Sequence, residues 1–236
     1  MVASLLLLLK GPMQSWGDES RYNTRATAAT PSKSGIVGLI AAAQGRRRTD
    51  PVEDLAALRL AVRVDQPGNL LRDYQTAQQW LTHPDKAASL ITRYYLSDAA
   101  FVAAVESPSR QLLEGIADAL RRPAFPLYLG RRSCPAPVNL VLGIEDTDAV
   151  TALQHQTTWY ATQAHKQERG KHVSLPIYRD ALPGEPGAVQ RQDVPISFSQ
   201  QHRQYGWRGV VLSDYVSVDN SQWGHEDGIM EAVLGA

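Results

Sequence analysis

"VASLLLLLK", Val2 to Lys10, decides how the rest of the chain is read. Five leucines in a row could open a secretory signal or a membrane span. The run is too short to cross a bilayer. It has no basic segment before it and no small-residue cleavage site after it. It reads instead as a buried strand, ended by Gly11-Pro12. Further elements then follow in order. In "TPSKSGIVGLIAAAQG", Thr30 to Gly45, Ser32 or Ser34 is placed to cap a helix. Ile36, Val37, Leu39 and Ile40 form its apolar run, and Gly45 stands where a C-terminal cap belongs. "LRLAVRVD", Leu58 to Asp65, alternates apolar and polar as a half-buried strand does. "LSDAAFVAAVES", Leu96 to Ser107, is the next strand, and Ser109 caps the helix "RQLLEGIADALRR". "VNLVLGIE", Val138 to Glu145, is the strand after that. The order β-α-β-β-α-β predicts an α+β fold of the ferredoxin-like, RRM type, an antiparallel sheet backed by two helices.

Two stretches fall outside that plan. An insert over about 68–97 carries Tyr74, Trp80, Tyr94 and Tyr95 together with Arg72 and Arg93. It is too long for an ordinary hairpin loop and too aromatic for disorder, so a projecting arm that packs on something else is expected. Beyond residue 145, "HVSLPIYRDAL", "VQRQDVPISF" and "WRGVVLSDYVSV" read as three strands split by Pro/Gly-rich turns. The expected division is a domain over 1–145 and a β-rich subdomain over 146–236, with a second, degenerate sheet as one form of it.

The 24 basic and 24 acidic side chains cancel, so no global attraction to nucleic acid exists. Their distribution is uneven. Residues 1–50 hold seven basic and three acidic side chains, and residues 140–236 hold seven and twelve. The basic islands are arginines: Arg46 to Arg48, Arg121-Arg122 and Arg131-Arg132. Arginine forks suit phosphate, although such runs also occur as solvated surface. The single Cys134 excludes a disulfide framework and fits a reducing cytoplasm.

Catalytic signatures are missing. His83, His155, His165, His172, His202 and His225 form no metal-binding spacing, and no cysteine cluster joins them. No metal or cofactor is expected. There is no G-x-S-x-G elbow and no dinucleotide fingerprint. Pro31-Ser32-Lys33-Ser34-Gly35 is not a Walker A loop. His165-Lys166 and Lys171-His172 could serve acid–base cleavage of RNA, or they could be solvated pairs.

A helix start rich in hydroxyls is an anion site, because its first N–H groups are unpaired. A phosphate at Lys33 and Ser34 is one reading, and a capped helix with a solvated lysine is the other. The sheet lacks the RNP1 aromatics, so RNA binding would rest on loops. Candidate contacts are Gln14, Trp16, Arg25, Ser32, Lys33, Ser34, Arg72, Tyr74, Arg131 and Arg132. Alternatives stay open: Trp16 plugging the core, Tyr74 packing the arm's base, and Arg131 with Arg132 pairing with acids.

"LLLLLKGPMQSWG", "TPSKSGIVGLIAAAQG", "LRDYQT" and "PLYLGRRSCP" fall in order over roughly the first 140 residues. Together they resemble the subtype I-E branch of the "Cas five" family of CRISPR-associated proteins, in the RAMP superfamily. The resemblance implies a non-catalytic subunit of Cascade, the RNA-guided DNA surveillance complex in the cytoplasm. It would cap the 5′ handle of crRNA. The insert would match the family's thumb. Partners would be a CasC-type backbone subunit, a CasA-type large subunit and, indirectly, target DNA. Lys33 and the amides after Ser32 and Ser34 would hold a handle phosphate. Gln14 and Trp16 would contact handle bases, Tyr74 would stack, and Arg25, Arg72, Arg131 and Arg132 would line the rim. The glycine-rich loop found near the C-terminus of many RAMP proteins is not evident; "YGWRG", Tyr205 to Gly209, is the nearest stretch. Relatives in another subtype cut pre-crRNA with a tyrosine, a lysine and a histidine. Those three find no matching positions here, so none is carried over; a metal-independent endoribonuclease is still the alternative reading.

Overall fold

The computed structural model describes residues 2–17 and 24–223. His225 lies outside the described residues. The chain opens with β1 (Ala3–Lys10), followed by the short strands β2 (Met13–Gln14) and β3 (Thr24–Arg25). Helix α1 (Lys33–Ala43), one-turn α2 (Glu53–Ala56) and β4 (Arg59–Gln66) come next. Then follow β5 (Asn69–Ala77), β6 (Ser89–Ser97), β7 (Ala100–Ser107), α3 (Arg110–Arg121) and β8 (Val141–Glu145). The remainder is α4 (Ala149–His155), α5 (Gln163–Gln167), β9 (His172–Asp180), β10 (Val189–Ser197) and β11 (Gln204–Asp219).

One seven-stranded sheet runs β10-β11-β9-β4-β7-β1-β8. All its pairings are antiparallel. The C-terminal strands therefore extend the first sheet, through β9 against β4, and do not form a sheet of their own. This explains the unbroken leucine run of β1. Leu5, Leu7 and Leu9 join the core with α1 and α3, while Leu6 joins a second core with Ala152 and Leu153 of α4, Trp159 and Leu175. A strand covered on both faces reads as continuous and not alternating. β4 departs from the half-buried strand expected of it. Arg63 and Asp65 are fully buried and paired at 2.8 Å. Arg63 also donates to the carbonyls of Leu153, Gln156 and Thr158, so its charge ties β4 to the end of α4. A buried charge satisfied this way escapes the penalty of an orphan.

The helix caps follow the sequence. Ser32 accepts from Gly35 N–H and starts α1; Ser109 accepts from Leu112 N–H and starts α3. Gly45 leaves α1 at φ +77°, the left-handed position that favours glycine. The insert is a long β5–β6 hairpin, paired from Asn69↔Ser97 to Ala77↔Ser89. Its far edge bonds β2 and, in parallel, β3. Leu70, Leu71, Tyr74, Trp80, Leu81 and Leu90 are exposed on it, an apolar surface that lacks a cover among the described residues. Among the described residues, no helix is long and apolar enough to cross a membrane. No group of three metal-ligating side chains is found among them either.

Candidate nucleic-acid interface

The two most distinctive sequence motifs meet inside the protein. Gln14 and Trp16 are fully buried. Gln14 Nε2 donates to the carbonyls of Leu9 and Ala99 at 3.0 and 2.7 Å, and its Oε1 accepts from Trp16 Nε1 at 3.0 Å. The Trp16 ring lies on Gly35 of α1, where an added Cβ would stand 2.7 Å from Cε3. Neither side chain has a hydrogen-bonding group left for a base. Both expected base contacts are corrected: they pin the loop after β1 to the start of α1. Trp16 is a core plug.

The start of α1 does bind an anion, but the anion is the protein's own. Lys33 N–H donates to Asp193 Oδ2 at 2.8 Å. Lys33 Nζ pairs with Asp180 Oδ2 at 3.2 Å, and its side chain is nearly buried. Arg208 forks onto Asp193 through Nε and Nη2 at 2.7 and 2.8 Å, and its Nη1 bonds Asp180. Burial pushes the Asp193 carboxyl up, but the bond and charge of Arg208, the Lys33 N–H and Arg191 more than offset it. Its pKa lies below the ordinary carboxylate range. Lys33 is thereby corrected as a phosphate ligand, while Ser32 also reaches the wall of an adjoining groove. Lys33 is neutralised by Asp180, and the Ser32 hydroxyl caps its own helix.

Beside these motifs lies an open groove of about 1220 Å³. Arg25, Arg46, Arg47, Arg48, Arg131, Arg132 and Arg203 line it, and among the described residues no carboxylate does. Phe125, Tyr128, Phe198, Tyr205 and Trp207 are interleaved with them. Ser32 and Ser34 reach its wall, as do Gly35 and Gly38 of α1. Two of the arginines are engaged. Arg46 forks onto Asp54. Arg131 donates to the carbonyls of Tyr94 and Arg25 at 3.2 and 3.0 Å and stacks 4.8 Å over the Tyr95 ring. Arg131 thus clamps the hairpin base to β3. The other five have no side-chain hydrogen bond or ion pair among the described residues. Trp207 is 60% exposed. Gly130, at φ +91°, lets the Tyr128–Arg132 turn close on Ser15; a Cβ there would stand 1.7 Å from the Ser15 carbonyl oxygen.

Of the ten expected contacts, the groove collects Arg25, Ser32, Ser34, Arg131 and Arg132. Arg72 and Tyr74 do not line it. They sit together on exposed β5, with the guanidinium 5.2 Å over the ring. Arg93, midway along β6, has a buried Nε with no partner among the described residues. It faces Tyr95, whose hydroxyl burial pushes up while bonds from Ser133, Arg131 and Arg93 bring it down, to a net value below the ordinary range. The arginine islands at 46–48 were visible in sequence only as charge. Arg203, Tyr205 and Trp207 carried no motif; only the weak "YGWRG" marked the place.

The His–Lys pairs lie elsewhere. His165 packs edge-on against Trp159, with ring centroids 6.0 Å apart, and His172 bonds exposed Asp219 at 2.8 Å. Neither lines the groove.

Comparisons with known proteins identify the family. The family model described as CRISPR-associated protein (Cas_Cas5) matches residues 4–211. The Escherichia coli (strain K12) protein named CRISPR system Cascade subunit CasD is 34% identical over 161 residues, covering 61% of this chain and 71% of that relative. A chain from a solved "CRISPR RNA-guided surveillance complex" superposes with a TM-score of 0.76 at 32% identity, over 93% of this chain and 92% of that one. Another, solved as "Crystal structure of Cas protein", gives 0.66 at 33% identity, over 93% and 97%. A family match across most of the sequence, with the same fold at this identity, means that the chain belongs to the Cas5 family of CRISPR-associated proteins.

Proposed function

We propose that this protein is a non-catalytic subunit of a Cascade-type surveillance complex in the cytoplasm, and that it caps the 5′ handle of crRNA. The observation that carries the reading is the groove: seven arginines and five aromatics line it, with no carboxylate among the described lining residues. Guanidiniums hold phosphates in forked hydrogen bonds, and aromatic faces stack splayed bases of any identity. With zero net charge on the chain, a local cluster of this kind sets where RNA docks. The strand order β8-β1-β7-β4, with α1 and α3 in the two crossovers, supports a ferredoxin-like unit over 1–145. Residues 146–236 then form an added part whose β10–β11 hairpin supplies the far wall of the groove. The exposed β5–β6 hairpin serves as the thumb, with Arg72 and Tyr74 toward RNA and its apolar residues toward a CasC-type backbone subunit. A CasA-type large subunit sits nearby, and target DNA is met through the complex.

The test is a labelled repeat–spacer RNA incubated with the protein in EDTA and run on native and denaturing gels. A shifted, intact RNA that depends on the handle supports the cap. A cut inside the repeat overturns it in favour of the endoribonuclease. If neither is seen with the CasC-type subunit also present, RNA capping itself is wrong.

A further inference from the structure

Four charged side chains that do not line the groove form a cluster beside it. Asp193 is completely buried on β10, and Lys33, Asp180 and Arg208 are nearly so. They come from α1, β9, β10 and β11, so the cluster bridges the N-terminal and C-terminal parts of the chain. Every contact in it is charge-assisted. Arg208 forks onto Asp193 and reaches Asp180; Asp193 caps α1 at Lys33 N–H; Asp180 pairs with Lys33 Nζ and accepts from Leu60 N–H at 3.1 Å. Arg191 stands 3.9 Å from Asp193 and donates to Thr30 Oγ1, just before the helix.

The same two strands carry part of the groove. Along β11, Tyr205 and Trp207 share one face and Arg208 takes the other. On β10, Gln192 lines the groove next to Asp193. Phe198 and Arg203, from the β10–β11 connection, line it too, and Phe198 Cζ would lie 3.6 Å from a Cβ on Gly38. β10 is the last strand of the sheet, with β11 as its one neighbour there. The clasp therefore adds a fixed attachment to α1 at the place where the sheet holds this wall from one side.

We propose that Asp193 and Arg208 are positioning residues for RNA binding: they hold the β10–β11 wall against α1 so that Trp207, Tyr205 and Arg203 face the arginines of the first part. They touch no RNA. This also accounts for the phosphate-like helix start, whose anion position is filled by the carboxylate that sets the wall. The inference rests on the RNA-capping reading.

The test compares wild type, Asp193→Asn, Arg208→Lys and Arg132→Ala in handle-RNA binding across a salt series. If loss of the clasp leaves the groove competent about a tenth of the time, affinity falls about tenfold. A positioning residue holds no phosphate itself, so the slope of log affinity against log salt stays at the wild-type value. Arg132→Ala lowers that slope by about 0.7, the single-strand value for one phosphate. Arg208→Lys keeps the charge while losing the fork, so it carries the same reading if Asp193→Asn does not fold. Wild-type affinity in both clasp variants overturns the proposal. So does a reduced slope in a further variant that removes the charge, Arg208→Gln, which would make Arg208 a direct contact. Failure of wild type to bind the handle overturns the capping reading itself, and the positioning role with it.

Discussion

The buried motif knot and the groove beside it use polar residues in opposite ways. In the knot, Gln14, Trp16, Ser32 and Lys33 are buried and satisfied inside the protein. In the groove, the side chains of Arg25, Arg47, Arg48, Arg132 and Arg203 make no hydrogen bond or ion pair among the described residues. The residues with the most particular spacing thus specify the fold. The residues that line the groove are specified by type and neighbourhood alone. A spacing-dependent motif demands fixed geometry, and fixed geometry is what close packing supplies. A phosphate asks only for a nearby guanidinium.

That contrast is broken most directly at Gly130. Its φ of +91° and its approach to Ser15 leave no room for a side chain. Gly130→Ala is expected to cost about 4 kcal/mol or more, since backbone must move. Soluble yield and the thermal midpoint measure it; a midpoint within a few degrees of wild type would mean that the turn yields easily. Trp16→Ala comes next. Removing a fully buried indole and its bond to Gln14 is expected to cost about 3–5 kcal/mol. Below the melting transition, the folded fraction should bind handle RNA with wild-type affinity. A stable variant with weakened binding would make Trp16 an RNA ligand after all.

Much of the fold was legible because its elements obey local rules. Both long helices carry their hydroxyl caps, and Gly45 stops α1 where a left-handed residue is needed. The leucine run pointed to a strand, and the insert's length pointed to an arm. The C-terminal sheet was misjudged because pairing β9 with β4 joins residues 61–63 to 177–179, a contact no local pattern announces. α4 went unseen because it is short and its buried Ala149, Ala152 and Leu153 pack with Leu6, Ala61 and Val102, distant in sequence. In the site, half of the expected contacts line the groove. The helix-start argument chose the right chemistry, a carboxylate being an anion too, and the wrong ligand. Burial of Gln14 and Lys33 depends on Ala99 and Asp180, far away in sequence.

On the groove side, the expected effects are on affinity and not on folding. Arg132→Ala should weaken handle binding about tenfold, the size of one charge-assisted hydrogen bond, with an unchanged melting midpoint. Adding Arg47→Ala and Arg48→Ala should lower the salt slope by about 0.7 for each phosphate no longer neutralised. Filter binding from low to moderate salt reads both. If the triple variant keeps the wild-type slope, these arginines are solvated surface and the comparison fails on its exposed side.

The smallest effect concerns a residue in neither region. Burial against Trp159 lowers the His165 pKa below its ordinary value of 6.5; Arg169 lowers it further, and Glu168 acts the other way. The folded protein therefore binds this proton less readily than the unfolded chain does. Stability from the neutral ring is complete above about pH 6.5 and declines as pH falls toward the lower folded value. The ring is partly exposed, so solvent keeps the contribution small. Replacing His165 by Gln removes the titration while leaving a polar side chain. Melting midpoints of wild type and His165→Gln should draw apart between about pH 7.5 and about pH 5, with wild type losing more on the acid side. Parallel curves would mean that the ring is as accessible to protons when folded as when unfolded. The same variant should leave handle RNA bound and intact. Loss of a cleavage product would instead place chemistry at a histidine that the groove does not contain.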